Sequence, residues 1–213
     1  MTRQLLDELN TGITSLGLGL PASVPEKLID YIGLLIHWNR AYNLTAIRDP
    51  AEMVSKHLLD SLAVLPHLGA AQSMIDVGTG AGLPGIPLAL CRPEMRIVLN
   101  DCSGKKTRFL TQAKLVLGLD NVEVVNRRIE EYRPTKDGRA IYFDLVIARA
   151  WAASDIIVAS TRHLHHANTR ILVMQGKRDE ALSAAGYQVK RSHTLYVPGL
   201  AAERHLLEIT QTH

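Results

Sequence analysis

Cysteine is nearly absent from this 213-residue chain. Cys91 and Cys102 stand alone, with no CxxC pair and no even set of closely spaced thiols. That spacing argues against a disulfide scaffold and against a cysteine-ligated metal. No apolar run approaches the roughly 18 residues that a membrane span needs. The opening Met1-Thr2-Arg3-Gln4-Leu5-Leu6-Asp7-Glu8 lacks the apolar stretch of a secretory leader, so a cytoplasmic address and no membrane partner are expected. Internal repeats, low-complexity tracts and long Pro/Gly/Ser linkers are missing too, and one domain over 1–213 is expected. The net charge is only +3, a weak pull on anionic partners. With 46% hydrophobic and 21% charged residues, the composition is that of an ordinary globular protein and not of a disordered one.

The chain changes character near Ser73. Before it, apolar residues recur at helical spacing. Ser23-Val24-Pro25-Glu26 reads as a capping box opening a helix whose apolar face is Leu28, Ile29, Ile32, Leu35 and Ile36. Asp49-Pro50-Ala51-Glu52 has the same logic and leads into Val54, Leu58, Leu62 and Leu65. Residues 1–70 are therefore expected to be a helical extension packed on the rest of the chain. From Ser73 onward, strand-like runs at 73–77, 96–100, 121–125, 143–148 and 170–174 alternate with helical stretches at 86–91, 105–117 and 154–164. That series predicts a parallel sheet with right-handed crossovers. The runs 187–196 and 205–210 flank Pro198-Gly199 with no room for a helix, so an antiparallel hairpin should close the sheet. The fold class is α/β: a mostly parallel seven-stranded sheet with a C-terminal antiparallel hairpin, core 71–213.

The most informative segment is Ile75-Asp76-Val77-Gly78-Thr79-Gly80-Ala81-Gly82-Leu83-Pro84-Gly85, a strand entering a glycine-dense turn and then a helix. Gly78, Gly80 and Gly82 allow positive φ and let a ligand approach without intervening Cβ atoms. The helix behind them would offer free N–H groups to an acceptor. Gly80-Ala81-Gly82-Leu83-Pro84-Gly85 also matches GxGxxG, so a nicotinamide dehydrogenase competes with a methyltransferase using S-adenosylmethionine (SAM). Asp76, at the strand end, suits a cationic amino group better than a diphosphate. Leu83-Pro84 crowds the place of a pyrophosphate, and an antiparallel ending is unlike a dinucleotide fold. Asp101 ends the second strand, where a carboxylate can accept both ribose hydroxyls of either cofactor. Ile129-Glu130 follows the third strand, where an apolar side chain and a polar edge border an adenine.

Other side chains carry weaker signals. Arg149 closes the fourth strand at the carboxyl edge, where ligands bind in open α/β sheets, although it could equally pair with a neighbouring acid. His163-Leu164-His165-His166 sits at a helix end, where imidazoles suit terminal carbonyls, and no nearby spacing completes a metal site. Lys56, His57 and Ser61 bracket one helical turn with Asp60, and Asn39, Arg40 and Asn43 flank a turn, polar and basic groups that could reach a phosphate or a ribose. Trp38 and Tyr42 suit base stacking or a helix junction. The pairs Lys105-Lys106 and Arg127-Arg128 flank the cofactor edge and suit phosphates.

Several of these segments together resemble a known family. They are Trp38-Asn39-Arg40-Ala41-Tyr42-Asn43-Leu44-Thr45, His57-Leu58-Leu59-Asp60-Ser61-Leu62, the glycine loop from Asp76 to Gly85, Lys105-Lys106 with Phe109-Leu110, Arg149-Ala150 and Glu203-Arg204-His205. They are similar to the RsmG family, formerly GidB, the bacterial 16S rRNA guanine-N7 methyltransferases. Cys102 and Ala148 stand where serines are usual in that family, and 134–140 looks like an insertion. The resemblance implies a Rossmann-like class I SAM-dependent methyltransferase acting on N7 of guanine 527, in the 530 loop of 16S rRNA. It implies cofactor contacts at Gly78, Leu83, Ile129, Glu130 and Arg149, with Asp76, Gly80, Gly82 and Asp101 beside them. The partner would be 16S rRNA within the 30S subunit or an assembly intermediate, met by a monomer with no resident metal. Guanine N7 carries no proton, so no catalytic base is expected, and proximity and orientation would suffice. Consistently, Ala148-Arg149-Ala150-Trp151 replaces the Asn/Asp-Pro-Pro-aromatic motif of amine methyltransferases, and no Pro-Cys nucleophile occurs. Methylation of a small molecule and nucleotide or RNA binding without catalysis remain the alternatives.

Overall fold

The computed structural model describes residues 2–149 and 151–212. Ala150 of the expected Arg149-Ala150 pair therefore lies outside the described residues, as do positions 1 and 213.

The helical extension comprises α1 (Thr2–Ser15), α2 (Ser23–Tyr42), α3 (Pro50–Met53), a π-helical turn (Val54–Leu59) and α4 (Asp60–Leu62). Asp49 caps α3, its side chain accepting from the Ala51 amide. Ser23 does not cap α2. The chain is already helical at Ala22, which occupies the cap position with φ −56 and ψ −26, so the serine falls inside the first turn. The expected capping box does not form, because Ala22 at the cap position has no side-chain acceptor. Asn43 ends α2 in the left-handed region, φ 50, a conformation asparagine tolerates better than most residues.

The strands in chain order are β1 (Ser73–Val77), β2 (Arg96–Asn100), β3 (Val122–Val125), β4 (Thr135–Lys136), β5 (Arg139–Ala140), β6 (Phe143–Arg149), β7 (His165–Gln175), β8 (Tyr187–Leu195) and β9 (Arg204–Gln211). Seven of them form the main sheet, in the order β3-β2-β1-β6-β7-β9-β8. The first five strands in that row are parallel, and β9 runs antiparallel between β7 and β8. This is the seven-stranded sheet with a C-terminal hairpin that the pattern predicts. The apparent insertion forms its own ribbon from β4 and β5. Asp137 and Gly138 turn it at φ 52 and 74, the Asp-Gly signature of a tight hairpin.

Side-chain alternation distributes the strands' apolar residues to two cores. Met74, Ile97, Leu145, Ile147 and Leu172 face one cluster, shared with α1, α2, the π-turn, α5 (Gly85–Cys91) and α6 (Gly104–Leu117). Ile75, Val77, Val98, Val146 and Val173 face the other, under α7 (Ser154–Thr161). The N-terminal helices thus share a core with the sheet. The histidine run straddles a helix end: His163 and Leu164 close the 3-10 turn Arg162–Leu164 that follows α7, and His165 and His166 open β7. His165 opens β7, buried between Tyr187 and Thr161, while His166 faces Asp144 and His163 meets the Tyr132 carbonyl. Helix thus runs to Leu164, as the 154–164 reading expects, and pairing with Phe143 of β6 draws His165 into the sheet directly after it.

Candidate cofactor and substrate site

The carboxyl edge of the parallel strands carries two cavities that share Gly78. The larger, about 440 Å³, lies between the glycine loop, the π-turn and the ends of β6 and β7. The smaller, about 280 Å³, is lined by Asp101, Lys106, Arg127, Arg128, Ile129 and Glu130, among others. Parallel strands bring their carboxyl ends to one edge, so residues distant in sequence converge there.

Gly78, Gly80 and Gly82 have φ of 66, 63 and 91, as the glycine-dense turn requires. A Cβ at Gly80 would meet nothing nearer than the Gly78 carbonyl at 3.9 Å, so that position opens outward. At Gly78 it would collide with the indole of Trp151, whose Cγ lies 2.6 Å away, a neighbour that the sequence does not suggest. At Gly82 it would meet Leu110 at 2.9 Å, so this glycine serves packing.

The loop's amides are largely engaged within the protein. Thr79 donates to the Asn100 carbonyl, Gly80 to Asp101, and Gly82 and Leu83 to the Thr79 carbonyl. The Gly85 amide donates to Asp76 Oδ2 at 2.8 Å. Expectation and structure differ here: the helix start does not hold free N–H groups out to an acceptor. Those amides do not form the cradle that a dinucleotide pyrophosphate needs.

Asp76 is fully buried and accepts from Thr79 Oγ1 at 2.6 Å as well as from Gly85. Burial pushes its carboxyl up to about 6 against those two hydrogen bonds, and its other oxygen has no partner. It braces the loop from inside the core. Asp101 Oδ1 accepts from the Ser103 amide at 2.8 Å, and Oδ2 accepts from Gly80 and from Lys106 Nζ at 3.3 Å. Lys106 therefore belongs with Asp101 in the smaller cavity, apart from the outward Lys105.

On the other side of Gly78, Asp60 is buried between two arginines. Arg149 Nη1 approaches Oδ2 at 3.1 Å, and Arg204 Nε approaches Oδ1 at 3.0 Å. Arg149 also donates to the Lys56 carbonyl. The alternative reading of Arg149, pairing with a neighbouring acid, is what its geometry shows, and the residue still lines the larger cavity. His57 lines that cavity as well, its Nε2 2.9 Å from Thr45 Oγ1. Burial, helped by the Arg149 charge, lowers its imidazole to about 4, so it is neutral at pH 7.

The remaining RNA candidates divide. Arg40, Lys105, Arg127 and Arg128 are exposed, and Lys56 is paired with Glu52. Asn39 and Ser61 are buried. Asn39 exchanges hydrogen bonds with the Thr45 backbone, and Ser61 donates to the His57 carbonyl. Asn43 accepts from Arg48. These three fix the π-turn and the loop before it. Trp38 stacks on Tyr42 at 5.3 Å and leans on Phe109, a helix-junction role. Among the described residues, no group of three or more His, Cys, Asp or Glu could hold a metal, and no helix is long and apolar enough to cross a membrane.

Comparison with known proteins adds the lineage. Residues 25–207 match the family model GidB, described as rRNA small subunit methyltransferase G. Ribosomal RNA small subunit methyltransferase G of Pseudomonas paraeruginosa is 47% identical, covering 100% of this chain and 98% of that protein. Its counterpart from Pseudomonas syringae pv. syringae is 46% identical with the same coverage. In fold, a SAM-dependent methyltransferase from Aquifex aeolicus superposes with a TM-score of 0.58 over 80% of this chain and 97% of that one, at 17% identity.

Proposed function

Because this chain belongs to the rRNA small subunit methyltransferase G family, we propose that it methylates N7 of one guanine in 16S rRNA, guanine 527 of the 530 loop, with SAM as methyl donor. The observation that carries this reading is the pair of cavities joined at Gly78, with Asp101 on one side and Arg149 on the other. An adenosine with an amino-acid tail needs that layout: a ribose acceptor, an open glycine turn and a cation for the carboxylate.

The chain's residues then take distinct tasks. Asp101 accepts the ribose hydroxyls, Ile129 covers a face of the adenine, and Glu130 meets its edge. Gly78, Gly80 and Leu83 line the larger cavity on the cofactor side, Asp76 and Gly82 hold the loop's form, and Arg149 receives the carboxylate. SAM supplies an electrophilic sulfonium methyl when bound. Guanine N7 presents a lone pair and no proton, so the protein has only to bind and orient. Its acids suit that absence of base chemistry: Asp60 is neutralised by two guanidinium groups, and Asp76 is engaged inside the loop. Arg40, Lys56, His57, Lys105, Lys106, Arg127 and Arg128 provide the RNA-facing side. A monomer working in the cytoplasm on the 30S subunit or its precursor completes the reading.

The test is incubation of the purified protein with methyl-labelled SAM and, in parallel, 30S subunits, naked 16S rRNA or no RNA. Label at one guanine in either RNA sample supports the proposal. Product formed equally without RNA would favour a small-molecule methyltransferase.

A further inference from the structure

Arg204 belongs to one of the family-like sequence segments, and the topology explains how it reaches the site. Because β9 runs antiparallel to β7, its first residue lies at the edge where β6 and β7 end. Arg149 is paired with Met174, and His205, next to Arg204, with Gln175. The two arginines thus stand two strands, about 10 Å, apart on one edge. Asp60, arriving from the π-turn, fills the gap and gives one carboxylate oxygen to each. All three residues line the larger cavity.

Charge and donor geometry show what this arrangement leaves available. Two guanidinium groups share a single buried carboxylate, so the cluster keeps an excess positive charge facing the cavity. Arg149 uses Nη1 for both Asp60 and Lys56, and Arg204 uses Nε for Asp60 and Nη1 for the Glu203 carbonyl. Each retains N–H donors in a fixed planar fork, the group best suited to a carboxylate or a phosphate. One cofactor carboxylate needs one such fork. The second is left for another anion, and a phosphodiester is the anion that an RNA substrate brings.

We propose that Asp60 is a positioning residue that holds two separate anion receptors in register, Arg149 for the cofactor carboxylate and Arg204 for a backbone phosphate beside the target base. The shared counter-ion fixes the distance between the two ligands, and so sets the base against the methyl donor. This inference rests on the methyltransferase function proposed for the chain.

The experiment compares wild type, Arg204→Gln, Arg204→Lys and Asp60→Asn. The measurements are the SAM Kd by calorimetry, KM and kcat on 30S subunits, and the salt dependence of RNA binding, each beside a thermal melt. Arg204→Gln should leave the SAM Kd within about twofold while raising the RNA KM about tenfold or more. It should also reduce the magnitude of the log–log salt slope by about 0.7–0.9, which a purely structural role would not do. Arg204→Lys keeps the charge and should restore the slope but not the full KM, because the planar fork is gone. Asp60→Asn should weaken both ligands together. Since that change also leaves two cations without their counter-ion and can unfold the chain, the two Arg204 variants decide the matter. A SAM Kd that shifts as far as the RNA KM in Arg204→Gln, or a slope and KM both at wild-type values, would overturn the inference. Either result, obtained while the wild type still methylates 30S subunits, leaves the underlying methyltransferase function standing. A wild type that binds no SAM would overturn that function as well.

Discussion

The Gly80 amide donates to Asp101 Oδ2 at 3.0 Å, joining the glycine loop to the end of β2 across 21 residues of sequence. One carboxylate thereby orders the turn and, in the proposed function, faces the ribose. Asp101→Asn keeps the side chain's size but loses its charge and one acceptor. SAM and S-adenosylhomocysteine should both bind more weakly, by about 1–3 kcal/mol, because they share the ribose. Calorimetric titration measures this directly, and unchanged affinity for both ligands would refute the ribose role.

Two glycines should fail in different ways. Gly80→Val places a branched side chain at φ 63, a strain of about 1–2 kcal/mol, but its Cβ enters open space. The variant should fold, melt a few degrees lower and lose SAM binding. Gly85→Ala puts a Cβ against Leu99 and 2.7 Å from Asp76 Oδ2, inside the packed core. It should cost about 1–3 kcal/mol of stability by overpacking. Circular-dichroism melts run beside SAM titrations separate the two outcomes. A Gly80→Val protein with wild-type SAM affinity would remove the loop from the binding site.

The RNA-facing charges give a third expectation. Lys106 touches Asp101, so its replacement should disturb SAM binding together with RNA binding. Lys105 and Arg128 are exposed. Replacing both by glutamine should weaken RNA binding and reduce the salt slope by about 0.7–0.9 for each phosphate no longer neutralised. SAM affinity should stay near the wild-type value. A wild-type slope would mark the pair as ordinary solvated surface.

Features with a local signature are legible in the sequence. The β1 and β2 boundaries follow from β-branched runs between polar ends, and the glycine turn from three glycines where positive φ is needed. The π-turn at 54–59 is not legible, since its apolar spacing is compatible with an ordinary helix. Nor is the use of the loop amides, which depends on Asp76 and Asp101 folding back on the turn. The Asp60 bridge joins residues 89 and 144 positions apart, and only the reversal of β9 brings Arg204 to that edge. His165 escapes a local reading because strand pairing and the Tyr187 hydroxyl, both non-local, decide its place.

Stability should fall in mild acid, and His165 is one cause. Burial holds its imidazole at about 4, below the ordinary 6.5, between Tyr187 and Thr161. Between those values the unfolded chain binds more protons than the folded one. His165 therefore contributes stability present above pH 6.5 and lost as pH falls toward 4. His57 acts in the same direction, while Asp76, raised to about 6, opposes them in part of that window. Replacing His165 by Gln should shrink the drop in melting temperature between pH 7 and pH 5. An unaltered pH profile would show that this imidazole does not titrate with unfolding.

A glycine loop that serves N7 methylation of one guanine in 16S rRNA should be indispensable for that mark in the cell. The most direct measurement is to map 7-methylguanine in 16S rRNA from the source bacterium with this gene deleted, then restored as wild type or as Gly80→Val. Guanine 527 should lose its methyl in the deletion strain, regain it with the wild-type gene and stay bare with the variant. Full methylation at that guanine in the deletion strain would show that another enzyme makes the mark, and its restoration by Gly80→Val would take the loop out of the reaction.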